Sequence, residues 1–179
     1  MLAQDILNFW FTDIPPAYWW QKDPAFDCLV EQKYSRLLAS ASRGELYEWR
    51  STAEGRLAEI LVLDQFSRNI HRGSALAFAN DPVALCLSQE AISAGANRQL
   101  NAIQRSFLYM PFMHSESLLI HSKAEELFRE NGNDVNYQFE LQHKAIIERF
   151  KRYPHRNAVL GRVSTEAEME FLQQPGSSF

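Results

Sequence analysis

The sequence has few of the features that mark all-β, membrane-spanning or secreted proteins. Seven glycines and seven prolines among 179 residues are too few for a loop-rich or all-β chain. The longest uncharged apolar run, residues 107–113, is far shorter than the roughly 20 residues of a membrane-spanning helix. No basic and apolar signal peptide opens the chain. Its two isolated cysteines, Cys28 and Cys86, indicate reduced thiols in the core, so we expect a cytoplasmic protein.

Several catalytic and cofactor motifs are also missing. The sequence has no glycine-rich phosphate loop, no G-x-S-x-G nucleophile elbow and no H-E-x-x-H helix. We therefore expect no cofactor, and no metal site, since His114, Glu116 and His143 lack a diagnostic ligand spacing. The net charge of −4 argues against general nucleic-acid binding. Only residues 143–163 are basic, with six basic residues against Glu148 alone.

What the sequence does contain is a series of helix start and stop signals. Starts are indicated at Asp23-Pro24, Ser51–Glu54, Asp81-Pro82 and Thr165–Glu168, by an N-cap with proline or by a capping box. Stops are indicated at Gly44, Gly73, Gly95 and Asn131-Gly132. We expect one helix to begin after Pro111 and another to run from about Val135 to Arg152, before Pro154. Gly55 weakens the start of its helix slightly.

These signals predict an all-α fold. Alternation of apolar and polar residues never persists long enough to indicate a strand. We expect a single all-helical domain over residues 1–179, a bundle or superhelix of seven or eight helices, with residues 173–179 as a frayed tail. A chain of this length buries roughly 70% of its unfolded surface, which is enough for a real core.

Three polar stretches directly follow or adjoin apolar runs. In "ILVLDQFSRNIHRG" (60–73), the apolar turn Ile60–Leu63 is followed by six residues with charged, amide or imidazole side chains, and Asp64 lies four residues before Arg68, the spacing of a helical ion pair. In "FLYMPFMHSESLLIH" (107–121), His114, Ser115 and Glu116 follow Pro111 and are expected at or near a helix N-terminus. The simplest interpretation of each is a structural ion pair or a hydrogen-bonded core histidine.

The third stretch is "FKRYPHRNAVLGRVSTEAE" (150–168), which surrounds a proline-containing turn. Its side chains include Arg152, His155, Arg156, Asn157 and Arg162. Either this is a basic loop that pairs with acidic helix ends, or it is an anion site, because the planar guanidinium matches carboxylate and phosphate.

The three stretches together resemble a mostly bacterial family of domains of unknown function. The resemblance rests on "LDQFSRNIHRG", "FLYMPFMHSE" and "RYPHRNAVLGRVSTEAEMEFL" and covers nearly the whole chain. It implies a tetratricopeptide-repeat-like superhelix of helix pairs, and it implies no reaction. The chain departs from the family pattern at Ser67, where proline is common, at Lys151, where glycine is common, and at His121, where glutamine is common.

The leading functional hypothesis is that the three stretches converge on a polar pocket between helices, which binds a small anionic or polar ligand. The candidate ligand-binding residues are Asp64, Gln65, Arg68, Asn69, Arg72, Ser115, His143, Arg152, Arg156, Asn157 and Arg162. The candidate catalytic residues are His114, Glu116 and His155. One alternative is a helical-repeat scaffold that binds a protein or peptide along a concave face. Another is a purely structural network that fixes helix register. The sequence identifies no reaction and does not decide whether the chain is an enzyme.

Overall fold

The structure, a computed structural model, describes residues 1–178, which contain α-helices and short 3₁₀ and π turns but no strand. The α-helices are α1 (Ala3–Asn8), α2 (Pro24–Ser42), α3 (Ala53–Leu61), α4 (Ser67–Ile70), α5 (Asp81–Ser93), α6 (Ala102–Met113), α7 (Leu118–Asn131), α8 (Asp134–Phe150) and α9 (Glu166–Leu172). A π turn, Val62–Phe66, joins α3 to α4 without a break. The all-α prediction is confirmed, and the helices form a single domain. Within this part of the chain, none of the helices is long and apolar enough to span a bilayer.

Two of the predicted helix starts are confirmed in detail. The Asp23 carboxylate accepts the backbone N–H of Ala25 and caps α2. Thr165 and Glu168 form the predicted capping box of α9, with each side chain accepting the other residue's backbone N–H. The predicted stop at Gly95 is also present, with a left-handed φ of 74°.

Two other predicted N-caps are wrong. Thr52, rather than Ser51, caps α3, because Ser51 is the last residue of a 3₁₀ turn and the chain becomes extended only at Thr52. Asn80, rather than Asp81, is the N-cap of α5, so Asp81 lies in the first turn of the helix. Its carboxylate therefore does not cap the helix, and it accepts hydrogen bonds from Arg68 and Arg156 instead.

Pro111 does not begin a helix as predicted; it lies in the last turn of α6. This helix was missed in the sequence, although Asn101 and Gln104 form a capping box at its start. His114 is the C-cap of α6, and Ser115 to Ser117 connect α6 to α7. The three polar residues of this stretch thus lie in a short helix–helix connection, before α7 begins.

The main core forms where the N-terminal helices pack on the α3–α4 segment and on α6. The apolar turn Ile60–Leu63 is almost completely buried, as predicted. Aromatic rings surround it: Trp10 contacts Phe66 with centroids 5.6 Å apart and Phe107 at 5.8 Å. From α6 to α8, each helix packs on the one before it. A smaller apolar cluster around Ile147 and Tyr153 holds the C-terminal segment in place.

The expectation of a frayed tail at residues 173–179 stays a prediction. Ser177 is buried and its hydroxyl donates to the Leu172 carbonyl. Residue 179 lies outside the described residues.

Candidate functional site

A cavity of about 340 Å³ opens between the start of α5, the connection from α6 to α7, and the C-terminal segment. Its volume is at the small end of the range for ligand pockets, roughly 300–1,000 Å³. The apolar lining residues are Ala75, Phe78, Ala79, Pro82, Leu85, Pro111 and Leu160. The polar lining residues are Asp81, His114, Ser115, Glu116 and Arg156. The cavity therefore combines an apolar wall with convergent charged and polar groups.

The buried Asp64 carboxylate orients His114. Its Oδ1 lies 2.7 Å from Nδ1 of His114 and 3.1 Å from the Arg68 guanidinium, and Gln65 donates to its Oδ2 at 2.6 Å. With the Nδ1 proton donated to a carboxylate, Nε2 is the second polar atom of the imidazole, on the opposite side of the ring. Burial and the nearby Arg68 lower the pKa of His114, so the neutral imidazole predominates at neutral pH.

Asp64 remains ionised in this buried position. Burial, the largest single effect, raises its pKa, but Arg68 and His114 together outweigh it and hold the pKa of Asp64 well below its usual range. Arg68 likewise stays protonated, because Asp64 and Asp81 outweigh the burial that lowers its pKa.

Asp81 links two arginines that are distant in sequence. It accepts two hydrogen bonds from Arg68, at 2.8 and 3.0 Å, and one from Arg156 at 3.2 Å. The predicted convergence of Arg68, His114 and Arg156 is therefore present, through Asp64 on one side of Arg68 and Asp81 on the other.

The Arg156 guanidinium is buried and incompletely satisfied. It lies over the ring of Phe78 at 4.5 Å and over that of Tyr153 at 4.6 Å. Its Nε is buried without a hydrogen-bond partner among residues 1–178, and its one carboxylate partner, Asp81, is shared with Arg68. Burial and Arg68 lower the pKa of Arg156, because both disfavour the charged form of its guanidinium.

Glu116 is held as a structural group at the edge of the cavity. Its carboxylate accepts hydrogen bonds from both terminal nitrogens of Arg162, at 2.7 and 2.9 Å, and from the backbone N–H of Tyr153 at 2.7 Å. Arg162 also donates through Nε to Asn157, which donates to Ser164. Burial raises the pKa of Glu116, but these donors outweigh it and the pKa is lowered overall. A carboxylate held in this way fixes the C-terminal segment against the α6–α7 connection.

A second buried layer lies beneath the cavity. His121 and Glu140 have no exposed surface, and His121 Nδ1 lies 2.7 Å from the Glu140 carboxyl. Its Nε2 donates to the carbonyl of Ser115 at 2.8 Å, which ties this layer to the cavity wall. His143 donates its Nδ1–H to the Phe139 carbonyl, and burial lowers the pKa of His143 to about 3. His155 is partly exposed, and burial likewise lowers its pKa to about 3.

Of the eleven predicted ligand-binding residues, Ser115 and Arg156 line the cavity, and the other nine lie outside its lining. Among those nine, Asn69, Arg72 and Arg152 pair with acidic groups elsewhere. Asn69 and Arg72 both donate to Asp27 on α2. Arg152 donates to Glu168 at 2.6 and 2.7 Å, an interaction that anchors α9. Arg72 and Arg152 thus form ion pairs between helices, and Asn69 adds a hydrogen bond to the Asp27 carboxylate.

The sequence reasoning missed Asp81 and Phe78 as site residues. Asp81 was assigned to a capping role because it precedes proline, and nothing in the local sequence contradicts that role. The available signal was a shortage of carboxylates: the three polar stretches hold five arginines against four carboxylates, Asp64, Glu116, Glu166 and Glu168. Phe78 carries no sequence signal that separates it from a core aromatic residue.

Comparison with known proteins gives a family and a fold. The model of a family described as "bacterial protein of unknown function (DUF924)" matches residues 6–176. A solved structure of a protein of unknown function from Agrobacterium tumefaciens is similar, with a TM-score of 0.91, 37% sequence identity and coverage of 96% of each chain. No curated protein matches the chain.

Proposed function

The chain belongs to this DUF924 family of bacterial proteins, and we propose that it binds a small organic anion in the cavity between α5, the α6–α7 connection and the C-terminal segment. The observation that carries the proposal is Arg156, a buried guanidinium that lines the cavity with its Nε unpartnered within residues 1–178. Buried guanidinium N–H groups are normally hydrogen-bonded, so an unpartnered one at a cavity wall favours a ligand that carries an anionic acceptor.

The rest of the lining supports an organic ligand over a bare inorganic ion. Phe78, Pro82 and Leu85 supply an apolar wall, whereas Ser115 supplies a hydroxyl and His114 an imidazole. Such a mixture of apolar surface and a few placed polar groups is typical of small-molecule sites. In this proposal Arg156, His114 and Ser115 contact the ligand, and Asp64, Arg68 and Asp81 hold them in position.

A thermal-shift screen against carboxylates and phosphorylated metabolites tests the proposal. A ligand present at about 100 times its dissociation constant stabilises the folded chain by about 2.7 kcal/mol. Arg156→Gln should abolish this shift, whereas Arg149→Gln, an exposed arginine of the same basic segment, should retain it. A wild-type chain that no organic anion stabilises would contradict the proposal.

The protein-binding alternative has less support. Among the aromatic residues of 1–178, only Trp20, Tyr47 and Phe139 are exposed, and they lie on three separate segments. A peptide-binding groove normally presents a contiguous apolar patch. We nevertheless infer a tetratricopeptide-repeat-like arrangement, because each helix from α6 to α8 packs on its predecessor.

We also infer a cytoplasmic location. Cys28 and Cys86 are both free, which suits a reducing compartment. Their predicted placement in the core is wrong, because both side chains are exposed on the surfaces of α2 and α5. The acidic net charge of −4 supports the expectation that general nucleic-acid binding is absent.

A further inference from the structure

The charges around the cavity balance before any ligand enters. Three guanidinium groups, Arg68, Arg156 and Arg162, are connected to three carboxylates, Asp64, Asp81 and Glu116. An anion that binds Arg156 therefore adds a negative charge to a neutral and largely buried cluster. Uncompensated charge in such a place is costly, which means that binding requires a second, compensating change.

A single lining group can supply this compensation by taking up a proton. His114 lines the cavity, is neutral in the free protein, and already donates its Nδ1–H to Asp64. A proton added at Nε2 gives an imidazolium whose other N–H is hydrogen-bonded to a carboxylate. The charged and titratable groups around His114 are Asp64 from the π turn, Arg68 from α4, Asp81 from α5, Glu116 from the α6–α7 connection, His143 from α8, and Tyr153, Arg156 and Arg162 from the C-terminal segment.

Resting on the proposed function, we propose that the cavity is a proton-coupled site for a monocarboxylate with an apolar body. The carboxylate accepts hydrogen bonds from Arg156, the apolar body packs against Phe78 and Leu85, and His114 takes up one proton for each ligand bound. The reaction is P + RCOO⁻ + H⁺ → PH⁺·RCOO⁻, where P is the protein and the proton adds to Nε2 of His114 without any change of oxidation state.

This charge balance selects a ligand class. One imidazole compensates one negative charge, so a monocarboxylate leaves the cluster neutral. A phosphate monoester, which is a dianion above about pH 6, leaves one negative charge uncompensated beside Asp81. A neutral amide of the same shape gains neither the charge-assisted hydrogen bonds nor the proton. The site should therefore prefer a carboxylate to both analogues.

Three probes that share a phenyl ring test the inference by titration calorimetry: benzoate, benzamide and phenyl phosphate. At about pH 8, where His114 is neutral, benzoate should bind with uptake of about one proton, measured from the dependence of binding heat on the ionisation enthalpy of the buffer. Its affinity should fall about tenfold for each unit of pH increase. Benzamide and phenyl phosphate should bind at least about tenfold more weakly.

Two variants identify the side chain that takes up the proton when benzoate binds. His114→Gln, whose side-chain amide can still donate to Asp64, should bind benzoate more weakly than the wild type, with no proton uptake and with a pH-independent affinity. His71→Gln is the matched control: this histidine belongs to the same polar stretch as Asp64 but lies outside the cavity lining, and proton uptake should persist in it. If His114→Gln does not fold, the ¹⁵N shifts of the wild-type His114 ring supply the same answer, since benzoate should convert it to the imidazolium form.

The outcomes separate this inference from the proposed function. Binding of benzoate without proton uptake, or with uptake that persists in His114→Gln, overturns the proton coupling and leaves the anion pocket in place. Tighter binding of phenyl phosphate than of benzoate overturns the monocarboxylate assignment alone. Absence of binding by all three probes and by the wider screen overturns the proposed function, and the coupling with it.

Discussion

Removing the Asp81 carboxylate should destabilise the protein strongly, because it leaves two guanidinium groups without their shared partner. Asp81 accepts three hydrogen bonds from Arg68 and Arg156. Breaking a buried ion pair from one side costs about 3–5 kcal/mol. The Asp81 and Arg68 side chains are 15% and 18% exposed, so some solvent screening remains and we expect the lower end, about 3 kcal/mol, for Asp81→Ala.

Urea denaturation followed by tryptophan fluorescence measures this cost, because Trp10 is buried in the main core. With a slope of about 2 kcal/mol per molar urea, a loss of about 3 kcal/mol lowers the midpoint by about 1.5 M. Added acetate should restore part of the loss, since it can occupy the position of the missing carboxylate.

The matched control is Asp134→Ala. Asp134 is the first residue of α8, as Asp81 is of α5, but it is exposed. Its loss removes only the interaction of a carboxylate with a helix N-terminus, about 0.3–1 kcal/mol. If Asp81→Ala costs no more than Asp134→Ala, Asp81 acts only on its own helix and the shared-carboxylate account is refuted.

Three further predictions concern other parts of the fold. Gly55→Ala should lower the melting temperature, although helix propensity favours alanine by about 1 kcal/mol, because an added Cβ would lie 1.9 Å from the Trp49 carbonyl oxygen; an unchanged or higher melting temperature would contradict the close contact. Lys151→Gly should raise stability in urea by about 1 kcal/mol, since Lys151 has a left-handed φ of 62°; destabilisation would show that the Lys151 side chain matters more than its backbone strain. Burial raises the pKa of Glu140, so the free energy of unfolding should fall as pH rises through this raised value. Glu140→Gln should flatten that part of the plot of unfolding free energy against pH. An unchanged plot would mean that another group titrates in this range.

The helical class and most helix ends could be predicted because their causes are local. Asp23-Pro24 and Thr165–Glu168 act through backbone groups within three residues, and the structure has both. Local patterns failed where a competing contact decides the outcome. Pro111 can be accommodated in the last turn of α6, so proline there did not mark a helix boundary.

The site could be predicted only in part, for a similar reason. Crowding of polar groups beside apolar runs correctly indicated that Arg68, His114 and Arg156 meet, because buried charges need partners. The same crowding did not show which arginine lines the cavity. Arg152 pairs with Glu168 and anchors α9, whereas Arg156 lines the cavity. That distinction depends on three-dimensional placement, as does the role of Asp81, which joins residues 13 and 75 positions away in sequence.

The most direct test of the central claim is a crystal structure of the protein soaked with 4-bromobenzoate. The account predicts anomalous bromine density against Phe78 and Leu85, with the carboxylate within about 3 Å of the Arg156 guanidinium. An empty cavity at a concentration that saturates binding in solution, or bromine density only at other surfaces, would contradict it.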